Sequence, residues 1–341
     1  MSVPTAVVAR PRRSSGLQVA WVIFLVLVAA FAILLPNMFS EYTTSVGLLA
    51  LFFVCLGLGL NVVVGYAGLL DLGFAAFYAI GAYATGLLAL KAHMSILETI
   101  PLGVGCSIIG AFLVGYPTLR LRSDYLAIVT LGFGEIIQAV AQNLSITGGP
   151  TGLYGIPPLS LFGHQFITPK DYYYVMLVVA VLYILFSRRI RRSPLGLAWL
   201  TMREDEDVAA SVGIPISRYK VYAYIVGGIM GSIAGSLYAP AYTAIAPASF
   251  GFQQSLLILL AVAIGGIGSI PGTVVGGIIV AALPELLRSF SQARLLIFGI
   301  ALALLMIFRR QGLWPAHTAQ SGQLLRRMQA TLRRRRVGEQ S

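Results

Sequence analysis

The chain has 341 residues, 57% of them apolar and only 11% charged, with 24 basic against 12 acidic side chains for a formal charge of +12. Globular proteins carry about 25% charged residues, so these proportions exclude an ordinary water-soluble surface. The mean hydropathy of +0.84 and several apolar runs of bilayer-crossing length point to a membrane protein.

In chain order the apolar runs fall at 17–35, 43–64, 67–90, 96–116, 125–142, 172–187, 219–239, 250–264, 273–287 and 295–308. The first lacks a small-residue cleavage pattern and is followed by more apolar runs, so it reads as a span rather than a signal peptide. Ten crossings are the simplest count, in an all-α polytopic membrane protein. The eighth and tenth runs hold only about 14 or 15 strongly apolar residues where roughly 20 are needed, so each is expected to be re-entrant or extended by polar residues facing the protein interior. The runs are too long and too uniformly apolar for the alternating strands of a barrel.

Charge placement orients the chain. With the N-terminus in the cytoplasm, all basic residues except Lys91, Lys170, Arg288 and Arg294 fall on the cytoplasmic side. Both termini are therefore expected to be cytoplasmic. The division is a cytoplasmic segment at 1–16, a transmembrane domain at 17–310 that includes a cytoplasmic loop at 188–218, and a basic tail at 311–341. The tail ends near Arg333-Arg334-Arg335-Arg336 and suits anionic lipid headgroups better than nucleic acid. The external segment 143–171 is rich in glycine and proline, which disfavours a long helix there.

Few side chains offer chemistry. Cys55 and Cys106 lie in apolar runs, and the three histidines are scattered, so neither a disulfide framework nor a metal-ligand spacing is visible. Asp71 follows Gly65-Tyr66-Ala67-Gly68-Leu69-Leu70 between the second and third spans. It is a candidate for the transport path or for a structural cap. Glu135 lies well inside the fifth span and is expected to face the bundle interior, in a pore or an interhelical network. Gln138, at i+3, extends the same polar stripe. Gly265-Gly266-Ile267-Gly268-Ser269-Ile270-Pro271-Gly272 lacks the lysine and hydroxyl of a phosphate loop and reads as a turn or broken-helix junction. No Walker A sequence occurs, so ATP hydrolysis by this chain is not expected.

The loop at 188–218 contains Glu204-Asp205-Glu206-Asp207-Val208-Ala209-Ala210-Ser211-Val212-Gly213-Ile214-Pro215. Thr201 or a polar neighbour is expected to cap a short helix with acids in its first turn, and Gly213 with Pro215 to end it. Val208, Ala209, Ala210 and Val212 would offer an apolar docking face.

The chain resembles the LivM-type permease subunits of branched-chain amino acid ABC importers. The resemblance rests on Gly65-Tyr66-Ala67-Gly68-Leu69-Leu70-Asp71-Leu72-Gly73, on the stretch from Leu119 to Glu135, on Thr147-Gly148-Gly149-Pro150-Thr151-Gly152-Leu153, on the cytoplasmic loop and on Gly265-Gly266-Ile267-Gly268-Ser269. Their order and spacing carry it across about 42–308.

It implies an ABC importer permease bundle in the bacterial inner membrane, with Glu204, Asp205, Glu206, Asp207, Val208, Ala209, Ala210 and Gly213 in the segment coupling to an ATPase. It further implies a second related permease, two cytosolic ATP-binding subunits that use ATP and magnesium, and a periplasmic amino-acid-binding protein. No cofactor is expected on this chain itself. The rival expectations are an ion-coupled secondary transporter, with Glu135 and Asp71 as coupling acids, and a non-transporting membrane scaffold.

Overall fold

The structure is a computed structural model that describes residues 36, 40–118, 123–161, 163–286, 299 and 312–314. The first span (17–35), the tenth (295–308) apart from 299, Arg120, Arg122, Arg288 and the basic tail (311–341) apart from 312–314 lie outside the described residues.

Ten α-helices are described. They are α1 (Glu41–Leu60), α2 (Ala75–Lys91), α3 (Ile96–Thr118), α4 (Ser123–Asn143), α5 (Pro169–Arg191), α6 (Pro194–Glu204), α7 (Glu206–Ser211), α8 (Ile216–Tyr242), α9 (Phe252–Gly265) and α10 (Ile270–Leu286). Six helical stretches are long and apolar enough to cross a membrane, and α2 and α10 are shorter apolar helices. The chain is a polytopic helical membrane protein.

Local sequence sets the ends of these helices. Thr168 opens α5 with a capping box: its hydroxyl accepts from the Asp171 N–H while the Asp171 carboxylate accepts from the Thr168 N–H. Arg188, Arg189 and Arg191 occupy the last turn of the same helix, where cations favour the helix dipole. Ser193 caps α6, and the short helix with acids in its first turn is α7, capped by the polar Asp205 rather than by Thr201 itself. Thr201 lies inside α6 and donates to the Leu197 carbonyl at 3.0 Å.

Helix α1 sits at the centre, packed against α5, α8, α9 and α10, while α2 is held between α3 and α8. Close backbone approach makes the second contact possible. A methyl at Gly81 would strike the backbone of Ser232, and one at Gly235 would strike that of Tyr78. Small residues at such crossings let helices pack without a hydrophobic driving force, which lipid does not supply. Around them, Tyr78 stacks edge-on to Tyr238 and Phe250, with ring centres 5.2 and 5.0 Å away. The Tyr183 hydroxyl donates to the Met230 carbonyl at 2.7 Å and ties α5 to α8.

Two ends of the bundle are distinct. At one, β1 (Leu153–Tyr154) pairs antiparallel with β4 (Ala244–Ile245), and β2 (Leu159–Leu161) with β3 (His164–Phe166). Short strands and 3₁₀ turns fill this segment, as its glycines and prolines led one to expect. At the other end, α6 meets the 67–74 connection through Arg203 on Gly68, Gly65 abuts Gly268, and the N–H groups of Leu313 and Trp314 donate to the carbonyls of Ile264 and Gly265 at 2.8 and 2.9 Å.

Two spans differ from their sequence outlines. The third begins at Ala75 rather than near 67, because 67–74 is not helical. The eighth is lengthened by a 3₁₀ turn, Pro247–Phe250, and the stretch Pro247–Gly265 reaches 19 residues.

Candidate functional site

Helix α1 does not stop cleanly. It widens into a π-helical turn, Asn61–Tyr66, and the Leu69 N–H reaches back to the Val63 carbonyl at 3.1 Å. Gly68 then adopts φ +74°, a left-handed conformation that glycine enters without steric cost. Beyond it the chain turns back into the bundle. The Leu72 N–H donates to the Thr130 hydroxyl at 3.0 Å, and α2 starts at Ala75, whose N–H donates to the Ser255 hydroxyl at 3.0 Å. A methyl at Gly73 would overlap the Thr130 carbonyl. Irregular backbone of this kind is stable inside a membrane protein only when protein groups satisfy it.

Asp71 belongs to that segment. It is 1% exposed, and its Oδ1 accepts from the Gly73 N–H at 2.8 Å, forming a local turn. Its Oδ2 has no hydrogen-bond partner among the described residues, and the same holds for the buried Tyr224 hydroxyl, which lies within electrostatic range of it.

Glu135 has the opposite setting. It is the thirteenth residue of α4 counted from Ser123, about 18 Å along the helix at 1.5 Å per residue. It is exposed, on a face shared with Tyr125, Ile128, Ile136 and Val140, which are 65%, 67%, 61% and 46% exposed. A Cβ at Gly132 would meet nothing within 4 Å. Glu135 therefore points away from this chain's own bundle, correcting the expectation of an inward-facing side chain. Gln138, one turn further along α4, is half-buried and lies against Gly251 before α9.

The acidic cluster of the loop separates into distinct roles. The Asp205 carboxylate accepts from the N–H groups of Asp207 and Val208 at 2.9 and 3.0 Å. Glu206 pairs at 3.0 Å with Lys220, whose side chain is only 3% exposed. Ala209 is fully buried, so it holds α7 to the bundle and is not itself a docking contact. Glu204, Asp207, Val208, Ala210, Val212 and Gly213 are exposed, with Val208 at 53% and Val212 at 67%. Gly213 takes φ +84° and ends the helix, as its sequence position predicts.

Arg203, on α6, was visible in the sequence only as an orienting charge. In the structure its guanidinium donates to the carbonyl of Gly65. Burial pushes the guanidinium below its ordinary value, against the raising influence of Glu204. Asn61 accepts from the Gly268 N–H at 2.8 Å. An asparagine inside an apolar run was the sequence signal for this junction, and Thr130 carried none.

Against known proteins, the family described as "Branched-chain amino acid transport system / permease component" matches residues 42–309. The chain belongs to that permease family. The chain is 38% identical over 324 residues to the high-affinity branched-chain amino acid transport system permease protein LivM of Escherichia coli (strain K12), covering 88% of this chain and 76% of that protein. A probable branched-chain amino acid transport permease protein LivM of Methanocaldococcus jannaschii is 27% identical, over 76% of this permease and 89% of its own length. The LivH permease of Salmonella typhimurium is 26% identical, over 76% and 88%. Both the π turn and the loop at 188–218 lie inside the matched range.

Proposed function

We propose that this permease subunit carries branched-chain or related small amino acids inward across the bacterial inner membrane, together with a second related permease. Two cytosolic subunits supply the energy by hydrolysing ATP with magnesium, and a periplasmic binding protein delivers the substrate. This chain performs no hydrolysis itself. The bias of most basic residues toward one side supports an orientation with α6 and α7 in the cytoplasm and the short strands outside.

The observation that carries this reading is the exposed Glu135 on a spanning helix. An acidic side chain at a helix centre costs about 2.5–3.5 kcal/mol on insertion scales when left to lipid. Cover by a partner helix and contact with a hydrated path remove that cost. The α4 face is thus the shared wall of the translocation route, where apolar neighbours suit aliphatic side chains. On the cytoplasmic side, Val208, Ala210 and Val212 form the apolar docking edge for the ATPase, with Glu204 and Asp207 beside it. ATP binding then shifts the pair between outward- and inward-facing states.

Reconstitution of the chain with its candidate partners tests this. ATP-dependent uptake of leucine, isoleucine or valine, in preference to urea and short amides, is the expected result. Uptake by the chain alone, driven by a proton or sodium gradient, would replace the reading with a secondary transporter.

A further inference from the structure

Three segments remote in sequence converge at the loop end of the bundle. The Arg203 guanidinium donates to the Gly65 carbonyl in the π turn. The backbone of Arg203 also lies directly on Gly68, where an added Cβ would come 2.9 Å from its Cγ and 3.1 Å from its Cα. Gly65 in turn abuts Gly268 of the α9–α10 junction, which is bound to Asn61. A helix end leaves carbonyls without partners inside the helix, and a cation donating to one both satisfies it and complements the dipole. Arg203 does this from a different element, one that belongs to the motor-facing loop.

Beyond Gly68 the backbone runs straight to α4. Three residues on, Asp71 closes its turn on Gly73, the Leu72 N–H is held by Thr130, and Gly73 touches the α4 backbone at Thr130 and lies 3.2 Å from where a Cβ would stand on Gly134. Gly134 is the residue before Glu135. The path from α6 to the Glu135 face therefore crosses one short, non-helical stretch of backbone, and each contact along it is a hydrogen bond or a backbone touch. Past the Arg203 side chain, the contacts that reach α4 run through backbone N–H groups, the short Thr130 hydroxyl and glycine backbone, which leave little slack, so displacement at one end is passed on toward the other.

We propose that Arg203 is a positioning residue for coupling, and that 67–74 is a strap which conveys movement of the α6–α7 loop to the Glu135 face of α4. This deepens the proposed function and rests on its ATP-driven reading. Arginine suits the position because its planar fork can hold a carbonyl while remaining charged when half-buried.

The test uses the complete transporter in proteoliposomes and reads substrate moved per ATP hydrolysed, together with retention of the ATPase subunits. Arg203→Gln is expected to keep the ATPases bound and at least half of the ATP turnover, while transport per ATP falls about tenfold. Arg203→Lys, which restores a charged donor, is expected to recover much of that ratio. An unchanged ratio in Arg203→Gln would overturn the strap. So would loss of ATPase binding in proportion to transport, because Arg203 would then serve docking or folding alone. Should Arg203→Gln fail to assemble, Arg203→Lys decides by itself: a transport-to-ATP ratio below wild type with wild-type ATPase retention supports the strap, and an unchanged ratio, or a fall in retention that matches the fall in transport, rejects it. Absence of ATP-dependent uptake in the unmodified transporter would be the separate failure of the functional reading itself.

Discussion

Asp71 and Glu135 are both acids in the membrane domain, yet the fold treats them in opposite ways. Asp71 is enclosed, with one oxygen engaged by the backbone two residues on, in a segment clasped by α4, α9 and the loop. Glu135 stands exposed on an apolar face of the least enclosed of the described spanning stretches, which is 22% buried where that of α1 is 78% buried. A buried acid with a local backbone partner shapes its own chain. An acid left on a spanning face requires something beyond the chain. The same residue type thus marks internal architecture in one place and, in the proposed function, an interface in the other.

The largest expected effect comes from attacking the enclosed region. Gly73→Val places carbon atoms on the Thr130 carbonyl; overpacking typically costs about 1–3 kcal/mol, and a rigid backbone contact is at the severe end. Folded yield in detergent should collapse, and a normal yield would show that the strap is loosely packed. Glu135→Leu should do the reverse. The chain should insert and melt normally, while uptake by the assembled transporter falls about tenfold, equivalent to about 1.4 kcal/mol. Normal uptake would make Glu135 a tolerated surface residue and erase the contrast.

Smaller effects sharpen the comparison. Asp71→Leu removes the acceptor of the Gly73 N–H, an uncompensated buried donor worth about 1–3 kcal/mol. Asp71→Asn keeps an oxygen in place and should cost well under 1 kcal/mol, so equal melting losses in the two variants would show that the charge, and not the turn, matters. The loop repeats the contrast on a lesser scale. Asp205→Ala loses a helix cap, about 1 kcal/mol, whereas Asp207→Ala should leave melting unchanged and alter only ATPase affinity. Reversal of that order, read by melting and by co-purification, would exchange their roles.

Much of the membrane architecture was legible in the residues. Runs at 96–116 and 125–142 became α3 and α4 almost unchanged, because uninterrupted apolar stretches in lipid have helix as their only self-sufficient backbone solution. The end of α7 was equally legible, since Gly213 supplies the left-handed residue that a helix stop requires. The start of the third span was not. Ala67 to Phe74 contains apolar residues throughout, apart from Asp71 and two glycines, and hydropathy has no term for Thr130 or Ser255 reaching in from distant helices. Glu135 was singled out correctly as unusual and assigned the wrong direction, because helical spacing tells which residues share a face but not what that face meets.

By itself, the sequence determined that this is a helical membrane protein of the branched-chain amino acid permease type, with an uneven distribution of basic residues and an acid-rich loop between its spans. Those properties depend on composition and local order, which the chain carries along its length. Only the tertiary structure decided that Ala209 turns inward, that Glu206 pairs with the buried Lys220, that Glu135 turns outward, and that Arg203 grips the broken end of α1. Each of these depends on which distant backbone groups lie within hydrogen-bonding reach, and that is fixed only when the helices pack.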